Sequence, residues 1–444
     1  MKFPNSFKNE KVSKRRGILY IGKSYIESLS KSTKLCAEIK IKKDNNIETD
    51  ILYFEVEKSW SKYLVTEYSD PFLLAVIKKA MKHGYDIECE GYISDDLYYN
   101  LVTYVIPIYA RNINIFQEIK IKANTIKNNI ISENAVGTGF SAGVDSFYTV
   151  LKHLSKDIPP EKKITHLVLA LNGAASTGIN KELDDIWFNN SMKKLEPYAK
   201  KLNLKLIGIK GNIDLFYQKD SCFNGEIIVT ASFIHALRKL FSIYYWASTY
   251  PAEIFGFPNL GDAGFWENIS VSYVSVEGLR FYHSGSETNR IGKVKYIADN
   301  EIAQNGLTVC GHSDAQNCGR CVKCLRTMAE LNALRKLNLF KNAFPVDKYK
   351  ENINSRLAEE FILDHEPFLS DIKYTMKKNR VKISNMVYFK AWFIYKPLYF
   401  FRKKLKHINS LRKIYYYFNL DEKIGGRKDS SEERKAKFDG LGKS

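Results

Sequence analysis

The sequence predicts an α/β protein in which a parallel sheet carries helices on both faces, preceded by an α+β domain and followed by a basic helical tail. Three observations lead there. From about Asn134 an apolar strand, a glycine-rich turn and a helix are followed by another strand, helix and strand, the alternation that builds parallel sheets. The part before it alternates short β-rich runs with one helical stretch. Beyond about Phe344 the composition shifts to lysine, arginine and aromatic residues. The expected segments are 1–125, 130–340 and 345–444.

The chain has 444 residues, 45% hydrophobic and 26% charged, enough apolar material for two or three packed domains and too much for a disordered chain. In the first segment GILYIG, KLCAEIKIKK, ETDILYFEVE and FQEIKIKA read as strands, and Pro71 to His83 reads as a helix. In the second, Ala135 to Phe140 is a strand running into a turn, with a helix from Phe147 onward. HLVLAL and LKLIGI are strands on either side of a helix from about Glu182 to Leu202. The apolar spacing from Glu226 to Tyr250 predicts a buried helix, and Ala252 to Gly256 a further strand. His166 and His235 sit among apolar neighbours and read as core histidines.

The sharpest chemical signal is GTGFSAGVDSFYTVLKHL. A strand, a turn of small residues at Ser141, Ala142, Gly143, Val144, Asp145 and Ser146, and then a helix place free backbone N–H groups and the positive end of a helix dipole where a phosphate can sit. Gly143 allows close backbone approach, Ser141 and Ser146 add hydroxyl donors, and Asp145 can cap the helix or hold Mg2+. An ordinary capped strand-to-helix turn is the plainer reading of the bare string. The GK[ST] ending of the common P-loop is absent, which disfavours that class of nucleotide triphosphatase. The string resembles the SGGxDS signature of the PP-loop, or ATP pyrophosphatase, superfamily. That resemblance implies a Rossmann-like sheet of the PP-loop/HUP type, ATP with its β and γ phosphates in the loop, and attack of a substrate oxygen on the α phosphate. Ala142 stands where the family usually has glycine. A Cβ is tolerated there at negative φ and costly at positive φ.

Seven cysteines are present, and Cys310, Cys318, Cys321 and Cys324 crowd into VCGHSDAQNCGRCVKCLRTM as C-x7-C-x2-C-x2-C. Two successive C-x2-C steps bring three thiolates round one centre, helped by Gly319, and Cys310 completes a tetrahedron. Four sulfur ligands leave no open position, so the expected ion is a structural Zn2+, with Arg320, Lys323 and Arg326 offsetting the thiolate charge. An iron–sulfur cluster also accepts this spacing, and free buried thiols without metal are the other reading, but zinc is favoured over both, and disulfides are disfavoured by the clustering. His312 reads as a bystander, and Leu325, Met328, Leu331, Leu334 and Leu337 recur as the core face of a following helix.

Together the loop and the knuckle resemble the 7-cyano-7-deazaguanine synthases and their relatives, over roughly Asn134 to Leu337. The resemblance implies an ATP-dependent ligase that adenylates a carboxylate or carbonyl oxygen of a small molecule, releases pyrophosphate and lets nitrogen displace AMP. It makes Ser141, Gly143, Asp145 and Ser146 the pyrophosphate holders. In HSGSETNRIGKVKYIA, Arg290 and Lys293 are candidates for contact with the α phosphate or a substrate carboxylate, near Glu287; a solvated helix face is the alternative. Asn172 and Gly173 follow a strand at the sheet edge where ligands bind, and either line an adenine pocket or form a simple turn. Other readings are an amidotransferase acting on nucleotide sugars in surface-polysaccharide synthesis, a tRNA thiolase-like enzyme, and a non-catalytic ATP-binding protein. The thiolase reading wants a cysteine pair near the nucleotide sheet, and only Cys222 is placed for that.

The net charge is +19, and 13 lysines and arginines without one acid lie between Lys373 and Phe418, interleaved with aromatics. Such a tail docks on an anionic membrane surface, caps the fold, or, less favoured, binds RNA. No run approaches the ~18 apolar residues of a membrane span, and the N-terminus does not read as a secretory signal, so the expected location is cytoplasmic or peripheral to a membrane.

Overall fold

The computed structural model describes residues 17–127, 129–172, 181–217, 227–255, 267–310, 317–347, 349, 353, 358, 368–397 and 400. Gly173, Cys222 and His312, and the tail beyond 400, lie outside the described residues.

The first segment contains β1 (Ile18–Ile21), β2 (Tyr25–Ser28), β3 (Ser32–Lys43), β4 (Asn46–Glu57), α1 (Asp70–His83), β5 (Asp86–Ser94), α2 (Asp95–Asn100), α3 (Ile106–Asn112) and β6 (Ile121–Ile126). The four strands read from sequence are β1, β3, β4 and β6, and the helix is α1; β2, β5, α2 and α3 are additional. β3 and β4 form a hairpin closed by two residues, where Asp44 takes φ 52°, the left-handed conformation such tight turns need. α1 opens on Pro71 and stops at Gly84, which adopts φ 69°.

The second segment contains β7 (Ala135–Gly139), α4 (Val144–His153), β8 (His166–Ala170), α5 (Lys181–Lys201), β9 (Lys205–Gly211), α6 (Ile213–Tyr217), α7 (Ile227–Ala236), β10 (Phe241–Ala247), α8 (Glu267–Tyr273), β11 (Arg280–Ser284), α9 (Arg290–Ile297), α10 (Glu301–Gly306) and α11 (Val322–Ala333). Two expectations are corrected here. The helix expected from Glu226 to Tyr250 ends at Ala236, and the chain turns into strand β10. Phe241 and Tyr244 of β10 enter one core and Ile243 and Tyr245 the other, so a strand buried on both faces shows the unbroken apolar run of a buried helix. The strand expected at Ala252 to Gly256 is instead a 3-10 turn, Ala252–Ile254, opening directly after Pro251.

All eleven strands join one mostly parallel sheet of order β11-β10-β7-β8-β9-β4-β3-β1-β5-β6, with β2 on β3. The five strands β7 to β11 are mutually parallel, and numbered within their segment they run 3-2-1-4-5, the order of doubly wound α/β sheets. The expected N-terminal unit is joined to them edge to edge: β4 pairs antiparallel with β9 at Phe54–Gly211, Glu55–Lys210 and Val56–Ile209. Helices cover both faces. α1 and α7 pack on one core, with Val168, Ile207 and Phe281; α4, α5, α9 and α11 pack on the other, with Val136, Leu167 and Leu169. Gly137 lets β7 pass beneath Phe241, since a Cβ there would lie 2.6 Å from that ring.

The last described helices are α12 (Phe368–Lys378) and α13 (Asn385–Lys390), the latter continued by a π-turn at Ala391–Tyr395. Among the described residues no helix is long and apolar enough to cross a membrane.

Candidate active site and candidate metal centre

The strand order reverses between β7 and β10, and ligands of open α/β sheets bind beyond the carboxyl ends of the strands at such a point. The loop 140–143 leaves β7 there and enters α4. Its side chains divide: Ser141 is exposed, while Ala142 and Val144 are buried in the core beneath. Ala142 and Val144 therefore offer the site only their backbones. The Gly143 N–H donates to Ser141 Oγ at 3.3 Å, Ser146 Oγ donates to the Gly143 carbonyl at 3.1 Å, and the two hydroxyls stand 3.4 Å apart. Ala142 takes φ 58°, the glycine conformation, with a methyl that is 0% exposed.

Asp145 in the first turn of α4 is clasped by both cations expected near it. Lys293 Nζ donates to Asp145 Oδ1 at 2.9 Å, and Arg290 Nη1 lies 3.4 Å from Asp145 Oδ2. Lys293 also donates to the carbonyl of Ser248, directly after β10, so its ammonium bridges the two strands of the crossover. The side chains of Lys293 and Arg290 are 1% and 7% exposed, which excludes the alternative of a solvated helix face for both. Asp145 keeps 27% of its side chain exposed.

Two groups not foreseen complete the clasp. Arg290 Nη2 donates to Thr327 Oγ1 at 3.3 Å, and its Nε lies 3.2 Å from the fully buried Glu330, both on α11. An acid inside the apolar stripe of Leu325, Met328 and Leu331 was the available signal for Glu330. Glu287 binds elsewhere: it accepts from Tyr148 at 2.6 Å and pairs with Lys152, both on α4. Desolvation works to raise its pKa, but these hydrogen bonds prevail and hold it near about 2. Asn172 donates to Thr230 Oγ1 at 2.7 Å, fastening the end of β8 to α7. His166 and His235 are buried as expected, and desolvation lowers His166 to about 4. Further along the same sheet edge a shallow mixed-charge cleft opens beside the ends of β8 and β9, lined by Tyr53, Asp184, Asp214, Lys181 and Lys210.

The four knuckle sulfurs lie within 4.8 Å of one another, with Cys318 to Cys324 at 3.9 Å and Cys310 to Cys321 at 4.0 Å. A tetrahedron with Zn–S bonds of about 2.3 Å has S···S edges of roughly 3.8 Å, so the four residues fit a zinc ion. Gly319 takes φ 72° in the turn between Cys318 and Cys321, and the Cys321 N–H donates to Cys318 Sγ at 3.4 Å. Asn317, 4% exposed, accepts from the N–H groups of Val309 and Cys310 and donates to the carbonyls of Leu307 and Ala343, fixing the approach of Cys310. With no cation, donating its thiol hydrogen to Cys310 pushes Cys321 up to about 12, and donating to Cys310 and Cys321 pushes Cys324 up as well; a divalent metal is what makes four thiolates compatible. Arg326 lies over the ring of Phe368 at 4.4 Å.

Loop and knuckle are tied twice. The Thr308 N–H, two residues before Cys310, donates to the carbonyl of Ala142 at 2.8 Å. α11, which follows Cys321 at its N-cap and carries Cys324, supplies Thr327 and Glu330 to Arg290. No family model, curated protein or solved structure matches the chain.

Proposed function

We propose that the chain is an ATP-dependent enzyme of the PP-loop type, on a Rossmann-like sheet, that adenylates a carboxylate or carbonyl oxygen of a small molecule and passes the activated carbon to nitrogen, as 7-cyano-7-deazaguanine synthases do. One observation carries this reading: Asp145, Lys293, Arg290 and the amino terminus of α4 converge where the strand order reverses. In this reading the β and γ phosphates of ATP rest on the N–H groups and hydroxyls of Ser141 to Ser146. The substrate oxygen attacks the α phosphorus, the bond to the β-phosphate oxygen breaks, and pyrophosphate leaves. A nitrogen nucleophile then adds to the activated carbon, and AMP departs with the former substrate oxygen. Lys293 and Arg290 would neutralise charge that builds on the α phosphate, and, as they turn to it, the partly exposed Asp145 carboxylate would hold a Mg2+ ion that offsets the phosphate charge. The Cys310, Cys318, Cys321 and Cys324 zinc takes no part in bond making, because four sulfurs leave it no free position.

The test is pyrophosphate release from ATP across a panel of carboxylic acids and nucleotide sugars with ammonium present. Release is expected with one class, and Asp145→Ala combined with Ser146→Ala should reduce it at least about 100-fold while circular dichroism still reports a folded chain. Undiminished release in that double variant removes the loop assignment; ATP binding with no release from any substrate assigns a non-catalytic nucleotide-binding role instead.

A further inference from the structure

The helix Asn385–Lys390 and its continuation Ala391–Tyr395 face the wrong way for a surface helix. Val387 and Ala391, 0% and 2% exposed, form its seam with the core shared by α4, α9 and α11. Phe389, Trp392 and Phe393 point outward and are 52%, 59% and 70% exposed. A helix at a water surface puts its large apolar side chains inward and its polar ones outward. Here the small residues face the protein and the large ones face away.

Seven of the 22 exposed large apolar side chains among the described residues fall between Met386 and Phe400, so they form a patch and are not scattered. Cations border it. Lys396 folds its ammonium 3.6 Å from the centre of the Trp392 ring, Lys390 follows Phe389, and the surrounding sequence from 373 to 418 holds 13 basic residues and no acid. We propose that this face docks in the plane of an anionic membrane surface. Tryptophan and phenylalanine enter the boundary between headgroups and acyl chains, while lysines extend their stems along the apolar face and leave their charge at lipid phosphates. Lys390, Lys396 and Pro397 interrupt the apolar run, which suits a helix lying on the surface and not across it. Single-stranded RNA is the poorer fit, because Met386 and Ile394 extend the patch with aliphatic surface on which bases do not stack. The seam at Val387 and Ala391 stays in the protein core, so docking requires no rearrangement of the fold.

Co-sedimentation of the full chain with vesicles tests this. Binding is expected to vesicles of phosphatidylcholine with roughly a third phosphatidylserine, not to phosphatidylcholine alone, and should fall steeply at about 0.5 M salt. Trp392→Ser with Phe393→Ser should weaken binding by about tenfold or more, and leave the thermal unfolding midpoint in place because both residues are exposed. Three results would overturn the proposal: no pelleting with the anionic vesicles, pelleting indifferent to the double substitution, or a dimer in solution or a complex with polyuridylate that the substitutions abolish while vesicles remain unbound.

Discussion

Ala142 holds a backbone angle that costs an L-residue about 1–2 kcal/mol, at a position where glycine would relax at once. Its methyl is buried in the core under the loop, which returns about 0.8 kcal/mol, and glycine would lose a further ~0.5–1 kcal/mol of chain entropy on folding. The terms nearly cancel, so alanine keeps the loop in the glycine conformation at little net cost. Ala142→Gly is accordingly expected to leave stability within about 1 kcal/mol of the parent. Ala142→Val, which adds a β-branch to a left-handed residue and overfills the core, should destabilise by about 2 kcal/mol or more. Urea unfolding decides between these magnitudes, and a valine variant as stable as the parent would contradict the loop geometry.

At the scale of elements, α11 links the metal centre to the cation clasp. Cys321, Cys324, Thr327 and Glu330 follow one another at intervals of three residues, two placed to hold a metal and two holding Arg290. Removing zinc should release the start of this helix and with it the position of Arg290. Dialysis against a chelator is expected to lower the unfolding temperature and to weaken the proposed ATP binding about tenfold or more, both restored by added zinc, with calorimetric titration as the readout. Metal-free protein that binds ATP as well as before would sever the link. Much of this site was legible in sequence: the strand, small-residue turn and helix, and the four cysteines, are local patterns. Arg290 and Lys293 were legible as candidates, but not that they meet Asp145 from about 145 residues away. β10 was misread because a strand buried on both faces has no period of two, and Glu330 was passed over because Arg290, which it meets, is distant in sequence.

At the scale of the whole molecule, the doubly wound half was readable from its alternation of strands and helices, whereas its junction to the N-terminal strands was not. Three residue pairs between β4 and β9 close the sheet, and nothing local to either strand announces a partner some 150 residues away. A buried ion pair reinforces the junction on one face. Asp70 at the start of α1 is 1% exposed; it accepts from Arg238 Nη1 at 3.1 Å and from the Ser94 N–H at 2.8 Å, and it stands 3.8 Å from His235 Nδ1. Burial opposes ionisation of Asp70, yet hydrogen bonding and charge from His235, Arg238 and Ser94 hold its carboxyl below the ordinary range. Arg238, beyond α7, also donates to Ser94 Oγ and to the carbonyl of Glu277, so one guanidinium fastens both segments. Asp70→Ala leaves that guanidinium buried without its counter-ion and should cost about 3–5 kcal/mol. Replacing both partners, Asp70→Leu with Arg238→Met, should recover a large part of that loss, because neither buried charge then remains. Since the sheet and the α1–α7 core are continuous across the junction, the loss in Asp70→Ala should appear as a shift of one unfolding transition for residues on both sides. Calorimetry with segment-resolved hydrogen exchange would read it. Two separate transitions, with β7 to β11 unmoved, would mean that the segments fold independently and that the β4–β9 seam is only a contact between them.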